Sequence, residues 1–390
     1  MTQPPRSTFI ILFAALQFTY MLDFIMVMPL APDLSQSLLF NVQKIGLLSA
    51  AYTGASMLLG ALSLKFIDKC NRRTLLLSSW GVFALSTVMC AWAQNFDQLF
   101  LARALIGASG SMAVSIVMAI SIDITPPRYL GRVIAKIMTG FTLATVLGVP
   151  LILILSEQYS WRSCFVLIGL LAALLHIYAY FKLPSFKPTV DVSDASTHLL
   201  RQPNVIKMYV LQIFNQFSAF LIIPTLSAYL VFNLAIERGH LSYFYLLGGM
   251  TSFITVHILG HMADSQGTQK TLFLGTAIYL AGLLAFSFDS LPTWLTFICF
   301  IAFMAGNAGR NISLTTSSSH VPSPSFRARY MTFQGMVRDA SITLASILSS
   351  SILSTQSNGQ IEHMPILILL AIFTAIYVLC AHHIWFNKKQ

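Results

Sequence analysis

The sequence predicts an all-α membrane protein whose twelve transmembrane helices form two pseudo-symmetric six-helix bundles. Three observations carry that expectation: a strongly apolar composition, twelve apolar stretches of bilayer-crossing length, and landmarks that recur in both halves. Of 390 residues, 56% are hydrophobic and only 9% are charged, against about 25% charged in an average soluble domain. A water-soluble fold of this length has no core large enough to hide so much apolar surface, so lipid must be its solvent. The 29 phenylalanines suit helices that face lipid.

A helix needs about 20 apolar residues, at ~1.5 Å rise each, to cross the hydrocarbon. The stretches that qualify are 8–31, 44–64, 74–94, 98–121, 132–156, 161–183, 204–232, 241–262, 270–288, 291–316, 329–353 and 363–386. Polar segments such as DKCNRR, TPPRYLGR, PSPSFRAR and QSNGQIEHMP separate them. The first stretch follows Arg6 and superficially resembles a secretory signal. It runs past twenty residues, contains Asp23 and lacks a small-x-small cleavage site, so it is read as a span.

Charge placement checks the count. With the N-terminus inside, 17 of the 23 basic residues fall in cytoplasmic segments, including Lys65, Lys69, Arg72, Arg73, Arg128, Arg132 and Lys136. The opposite side receives Lys44, Arg162 and Arg238, and three arginines lie within spans. That bias obeys the positive-inside rule, and one missed span would scramble it. Both termini are therefore expected in the cytoplasm and the protein in the inner (cytoplasmic) membrane, as a monomer. The net charge of +10 is read as this topology signal. Scattered short clusters form no stripe that could follow a phosphate backbone, so nucleic acid is not an expected partner.

The longest polar stretch, 184–202, is a Pro-, Ser- and Asp-containing linker near the midpoint. It separates an N-terminal bundle, 1–183, from a C-terminal bundle, 203–390. Gln17 and Pro29 recur as Gln212 and Pro224, both offset by 195. Asp68 recurs as Asp264 and Arg132 as Arg329, offset by 196 and 197. GASG at 107–110 faces GNAG at 306–309, offset by 199. Parallel six-span repeats are a transporter architecture, with substrate bound at the repeat interface near the midplane.

LDFIMVMPLAPDL (22–34), LKFIDKCNRRTLL (64–76), ARALIGASG (102–110) and ATVLGVPL (144–151) resemble first-half signatures of the major facilitator superfamily. The resemblance covers nearly the whole chain and is greatest to twelve-span proton-coupled drug and metabolite exporters of the arabinose-efflux type. Leu64 and Asn71 stand where the family's loop has glycines, while Asp68, Lys69, Arg72 and Arg73 keep its charge pattern. In span 5, Gly148 and Pro150 precede large aliphatics where the exporters have paired glycines. The resemblance implies the major facilitator fold, with spans 1, 4, 7 and 10 lining a central cavity. It also implies that Asp68, Arg72, Arg73 and Asp264 act in gating, with the Asp68 carboxylate holding the start of span 11. Membrane anchoring is the alternative for the arginines.

Ionisable groups within a membrane are costly, and each needs a reason. Asp23 lies about 24 Å along its helix, in the outer half of span 1. Arg103 enters span 4 from outside at comparable depth, so the two can pair. Either Asp23 exchanges a proton with solution and Arg103 tunes it or holds a substrate anion, or the pair only locks helices together. Arg310 in span 10 and Arg338–Asp339 in span 11 leave two arrangements open. Asp339 can neutralise one arginine and leave the other for an anionic substrate, or it can bridge to Arg310 with Arg338 turned away. Neighbours on a helix diverge by ~100°, so Arg338 and Asp339 are not expected to share a face. Gln17, Tyr20 and Phe24 on span 1, Gln212, Asn215 and Gln216 on span 7, and Asn307 and Asn311 on span 10 complete a candidate substrate site. Half of these are expected to serve helix packing.

Other chemistry lacks its residues. The five cysteines (Cys70, Cys90, Cys164, Cys299, Cys380) have no metal or redox spacing. His257 and His261 are four apart but lack further ligands, and the NIS triplet at 311–313 lies inside a span. No nucleotide loop or nucleophile triad occurs, so neither an enzyme nor a cofactor is expected, and an ion gradient, H+ first, is the expected energy source. The expected function is proton-coupled export of a small organic molecule by alternating access. The alternative is proton-coupled uptake of a small anionic metabolite such as a carboxylate, an amino acid or an iron-chelating polycarboxylate, and a lesser one is a non-transporting receptor.

Overall fold

In lipid an uncharged apolar run satisfies its N–H and C=O groups by forming a helix, because no water is present to do so. The computed structural model describes residues 7–63, 70–185, 202–288, 291–319, 321, 327–356 and 358–386, and it is helical over nearly all of them. Among the described residues, ten helical segments are long and apolar enough to cross a membrane. The other two predicted spans are helices too, Thr268–Ala285 and Arg327–Ile352. They are less apolar for visible reasons. The first opens on Thr268, Gln269 and Lys270, and the second carries Arg338, Asp339 and the serines at 349–351. The protein is a multi-pass, all-α membrane protein.

The chain divides into two compact units, 1–40 with 48–193 and 41–47 with 194–390. In the first unit α1 (Ser7–Met26) ends five residues short of the predicted span 8–31, and a separate short helix, α2 (Ala31–Ser37), starts where that span was expected to end. The chain turns at 27–30, where Pro29 removes a donor that would continue the helix, and Pro32 lies in the first turn of α2, where no intrahelical donor is needed. It continues with α3 (Ile45–Ser63), α4 (Arg72–Trp92) and α5 (Phe96–Ile124). Asn71 caps α4 by accepting the Arg73 N–H at 3.0 Å, and Asn95 caps α5 by accepting the Gln98 N–H at 2.9 Å. Predicted span 5 is composite. α6 (Pro127–Leu143) passes through a π-turn at Ala144–Gly148 into α7 (Val149–Gln158). Pro150 cannot donate into the ladder, and the wide turn just before it absorbs the mismatch. α8 (Trp161–Lys182) closes the unit. α6 packs on α1, and α4 packs between α5 and α8.

The second unit repeats the device at its start. α9 (Pro203–Phe220) and α10 (Ile223–Phe232) interrupt predicted span 204–232 just before Pro224, the repeat partner of Pro29. α11 (Leu241–Gln266), α12 (Thr268–Ala285), α13 (Thr293–Ser319), α14 (Arg327–Ile352) and α15 (Met364–Phe386) follow. α13 packs against α11 and α12, while α9 packs against α14 and α15. At one end of α9, Tyr209 stacks on Tyr330 with centroids 4.9 Å apart, within a core that includes Val205, Met208, Leu272 and Leu314.

One element was not anticipated. Ser354–Thr355 pairs antiparallel with Ile361–Glu362 in the segment before the last span. Asn233 at the end of α10 clamps it, donating to the Ile361 carbonyl and accepting its N–H, both at 2.9 Å. Gln356 and Ser354 each donate to the Glu362 carboxylate at 2.7 Å, which holds that acid below its usual range. The linker residues 186–201 lie outside the described residues.

Candidate functional site

Each unit buries one arginine on the face of a tyrosine. In the first unit, Gln17, Tyr20, Asp23 and Phe24 follow the three-and-four spacing that places residues along one side of α1. Arg103 projects from the second turn of α5. Its Nη1 donates to Asp23 Oδ2 at 2.6 Å and to the Asp23 backbone carbonyl at 3.1 Å. Both side chains are sealed, at 0% and 1% exposure. The guanidinium lies 4.5 Å over the ring of Tyr52, whose hydroxyl donates to the Tyr20 carbonyl at 3.5 Å. Tyr20 and Phe24 complete an aromatic wall around Tyr52, with ring centroids at 5.8 and 5.0 Å.

A glycine makes this stacking possible. A methyl group at Gly107, one turn after Arg103, would run into the backbone carbonyl of Tyr52. Without it α3 could not come close enough for its tyrosine to lie under the arginine. The pair is not saturated. Asp23 Oδ1, Arg103 Nε and Gln17 Oε1 are buried with no hydrogen-bond partner among the described residues. A carboxylate with one oxygen held by a cation and the other unoccupied can accept a proton at that second oxygen without first breaking its ion pair.

The second unit has a similar stack with no acid paired to it among the described residues. Arg310 is 0% exposed and lies 4.3 Å over the ring of Tyr279. Gly306, one turn before Arg310, lets α12 approach, since a methyl there would meet the Tyr279 backbone. Arg310 Nη1 donates to Ser218 Oγ at 3.4 Å, and Ser218 Oγ donates to the Ala371 carbonyl at 2.8 Å. The Tyr279 hydroxyl donates to the Ser218 carbonyl at 3.0 Å. Of the two arrangements left open, the Arg310–Asp339 bridge is not what the structure shows. Asp339 lies against its own neighbour, with Arg338 Nε 3.5 Å from Asp339 Oδ1. The helix angle does separate their Cβ atoms, but a long arginine side chain folds back across it. Arg338 is 44% exposed and Asp339 15%.

The amides divide as well. Asn215 donates to Asn311 Oδ1 at 2.7 Å, joining α9 to α13. Asn215 Oδ1 and Asn307 Oδ1 are buried without a partner among the described residues. Gln212 is buried, whereas Gln216, Asn307 and Asn311 are partly exposed.

The residues expected to gate are placed as follows. Asp68 lies outside the described residues. Arg72 forms an ion pair with Asp123 and donates to the Ala119 carbonyl at 3.2 Å, tying the start of α4 to the end of α5. Arg73 donates to the Tyr180 carbonyl at 2.6 Å, with its guanidinium 5.4 Å from that ring. These contacts anchor helices within one unit. Asp264 is exposed near the end of α11. Sequence reasoning missed Tyr52, Tyr279, Ser218 and Asp123. Gly107 and Gly306 were noticed as a repeat, yet that signal marks close helix approach and not which side chain benefits.

Known proteins place this architecture. The model of the Major Facilitator Superfamily matches residues 13–346. A probable sugar efflux transporter of Pasteurella multocida is 24% identical over 80% of this chain and 77% of its own. Another, from Helicobacter pylori, is 27% identical over 73% of each. A third, from Mannheimia succiniciproducens, is 31% identical, but the match spans about half of either chain, 47%. Among solved structures, a variant of the nucleoside transporter NupG superposes with TM-score 0.76 at 15% identity, over 97% of this chain and 99% of that one. A bacterial homologue of the lysosomal transporter Spinster, inward-facing and occupied, gives 0.73 at 15% identity over 99% and 97%. The chain belongs to the Major Facilitator Superfamily and is a membrane carrier, not an enzyme.

Proposed function

We propose that the protein is a proton-coupled exporter of a small organic molecule, working by alternating access in the inner membrane as a monomer with both termini in the cytoplasm. The observation that carries this reading is the sealed Asp23–Arg103 pair with one carboxylate oxygen unoccupied. A buried carboxylate beside a fixed cation can trade its counter-charge for a proton, so its protonation changes the energy of the helix contacts around it. Efflux is supported by the names of the relatives, which are probable sugar efflux transporters. The cytoplasmic excess of basic residues supports the orientation. The candidate substrate contacts are the partly exposed Phe24 in the first unit and, separately, Gln216, Asn307 and Asn311 in the second. No metal or cofactor takes part, and the gradient supplies the energy.

The test uses proteoliposomes loaded with a panel of labelled sugars and metabolites under an imposed pH gradient. Wild-type protein is expected to drive accumulation of at least one compound, and Asp23→Asn to abolish the pH-driven component while retaining substrate exchange. Transport by the wild type that ignores collapse of the gradient would sink the coupling assignment. A second reading, proton-coupled uptake of a small anionic metabolite, is favoured by the unneutralised Arg310. Inverting the gradient relative to a sidedness-selected preparation separates the two directions.

A further inference from the structure

We infer that the transported molecule carries an anionic group and that Arg310 is the residue that receives it. The inference rests on the transport reading above and narrows its substrate class. Arg310 lies about 25 Å along α13, deep in the span, and has no exposure. Among the described residues no carboxylate pairs with it, since Asp339 lies against Arg338. Arg103 makes the same stack on a tyrosine but has Asp23 to neutralise it. A ring face offsets only part of the desolvation of a cation, so a buried arginine needs a counter-charge.

The local acceptors are neutral hydroxyls, those of Ser218 and Tyr279, and neither brings a charge. Ser218 Oγ accepts from Nη1 and donates onward to the Ala371 carbonyl, while the Tyr279 hydroxyl donates to the Ser218 carbonyl and its oxygen also bonds the Arg310 side chain. Among the described residues, Nε and Nη2 have no hydrogen-bond acceptor. They form one edge of the guanidinium, the edge whose parallel N–H bonds match the two oxygens of a carboxylate or phosphate. A neutral sugar can offer two hydroxyl oxygens to that edge but not the charge that offsets a buried cation.

The neighbouring residue types extend the description. Asn311 follows Arg310 in the chain and holds Asn215, while Asn307, one turn earlier, has a carbonyl oxygen awaiting a donor. Amides suit hydroxyl groups, each offering a donor and an acceptor. The class that satisfies both sets is a small hydroxylated organic anion. Because Arg310 is sealed here, such an anion reaches it only when the contacts around the guanidinium, to Ser218 on α9 and Tyr279 on α12, rearrange. Anion binding is thereby tied to a change of conformation within the second unit.

The test compares glucose, glucuronate, glycerate, inorganic phosphate and chloride as ligands of the purified full-length protein, by thermal shift and titration. Wild type, Arg310→Gln and Arg310→Lys are measured. Glucuronate or glycerate is expected to bind wild type at least about tenfold more tightly than glucose. That preference should vanish in Arg310→Gln and survive in part in Arg310→Lys, which keeps the charge but not the two-pronged edge. Equal binding of glucose and glucuronate, binding of no anion, or a preference retained by Arg310→Gln overturns the inference. Arg310-dependent binding confined to phosphate or chloride overturns the assignment to the substrate. Should Arg310→Gln not fold, the wild-type comparison of glucose with glucuronate decides alone. Gradient-driven flux of a neutral sugar, with no preference for its acid, would leave the transport reading standing and end this one.

Discussion

Replacing Asp23 by asparagine separates the energetic role of the buried pair from its role in coupling. The change keeps the side-chain shape and removes the negative charge. Arg103, at 1% exposure, is then a cation without a counter-charge where water does not reach. Removing one partner of a buried pair costs about 3–5 kcal/mol. The stack on Tyr52, at 4.5 Å, survives in the variant, so its contribution of up to about 2 kcal/mol cancels from the difference. The amide oxygen introduced can still accept one arginine N–H, which puts the expectation near the lower bound, about 3 kcal/mol. That is roughly a hundredfold in the folding equilibrium. Adding Arg103→Gln removes the stranded cation, and the double variant should return to within about 1 kcal/mol of wild type. The assay is reversible unfolding in mixed micelles followed by tryptophan fluorescence, since Trp80 lies buried in the same unit. Proton-driven transport is measured in parallel and should be absent in both variants. A single variant as stable as wild type, or a double variant no better than the single, refutes the energetic argument. Gradient-driven transport by the double variant refutes the coupling role.

Three further outcomes follow from other contacts. Gly107→Val should cost about 1–3 kcal/mol or more by forcing α3 away from α5, and the same unfolding assay reads it; Gly131→Val, whose position is open, is the control. Arg72→Gln leaves Asp123 without its cation at a site where the two side chains are 7% and 21% exposed. The expected loss is about 1–3 kcal/mol, reduced from the fully buried figure by access to water, and Asp123→Asn in the same background should recover part of it. The folded Glu362 carboxyl is depressed by its donors, so its contribution is full above the ordinary glutamate range and is lost as pH falls through the depressed value. Hydrogen exchange at Ser354–Glu362 should quicken on acidification in wild type, after correction for intrinsic rates, and lose that dependence in Glu362→Gln.

What was legible in the sequence follows from which signals are local. Span existence depends only on run length and composition, and a helix is the single cheap answer in lipid. The helix at 161–182 therefore ends within a residue of its expected place, while the run at 8–31 does not survive as one helix. Pro29 in that run marks the repeat, and in the structure the same residue also interrupts the ladder. The proximity of Asp23 and Arg103 was readable because two opposite charges at matched depth have few other partners. The setting of Arg310 was not. Tyr279 and Ser218 are unremarkable letters in apolar runs, and only helix rotation, fixed by close approach at Gly306, brings them to the guanidinium. Asp123 sits in plain view beside TPPRYLGR, but its meeting with Arg72 depends on how two helix ends lean together. The strand pair at 354–362 is too short to carry a period.

The breaks at 27–30 and 221–222 bear on how such a helix can bend. An unbroken span resists deflection because tilting its top stretches every bond on one side of the cylinder. A span cut in two behaves as rods on a pivot, and the short upper rod swings without cost to the ladder below. Both repeats place that pivot beyond their conspicuous polar side chains, four residues past Asp23 in one and three past Ser218 in the other. A swing there alters what sits above those side chains while leaving the rod that bears them in place.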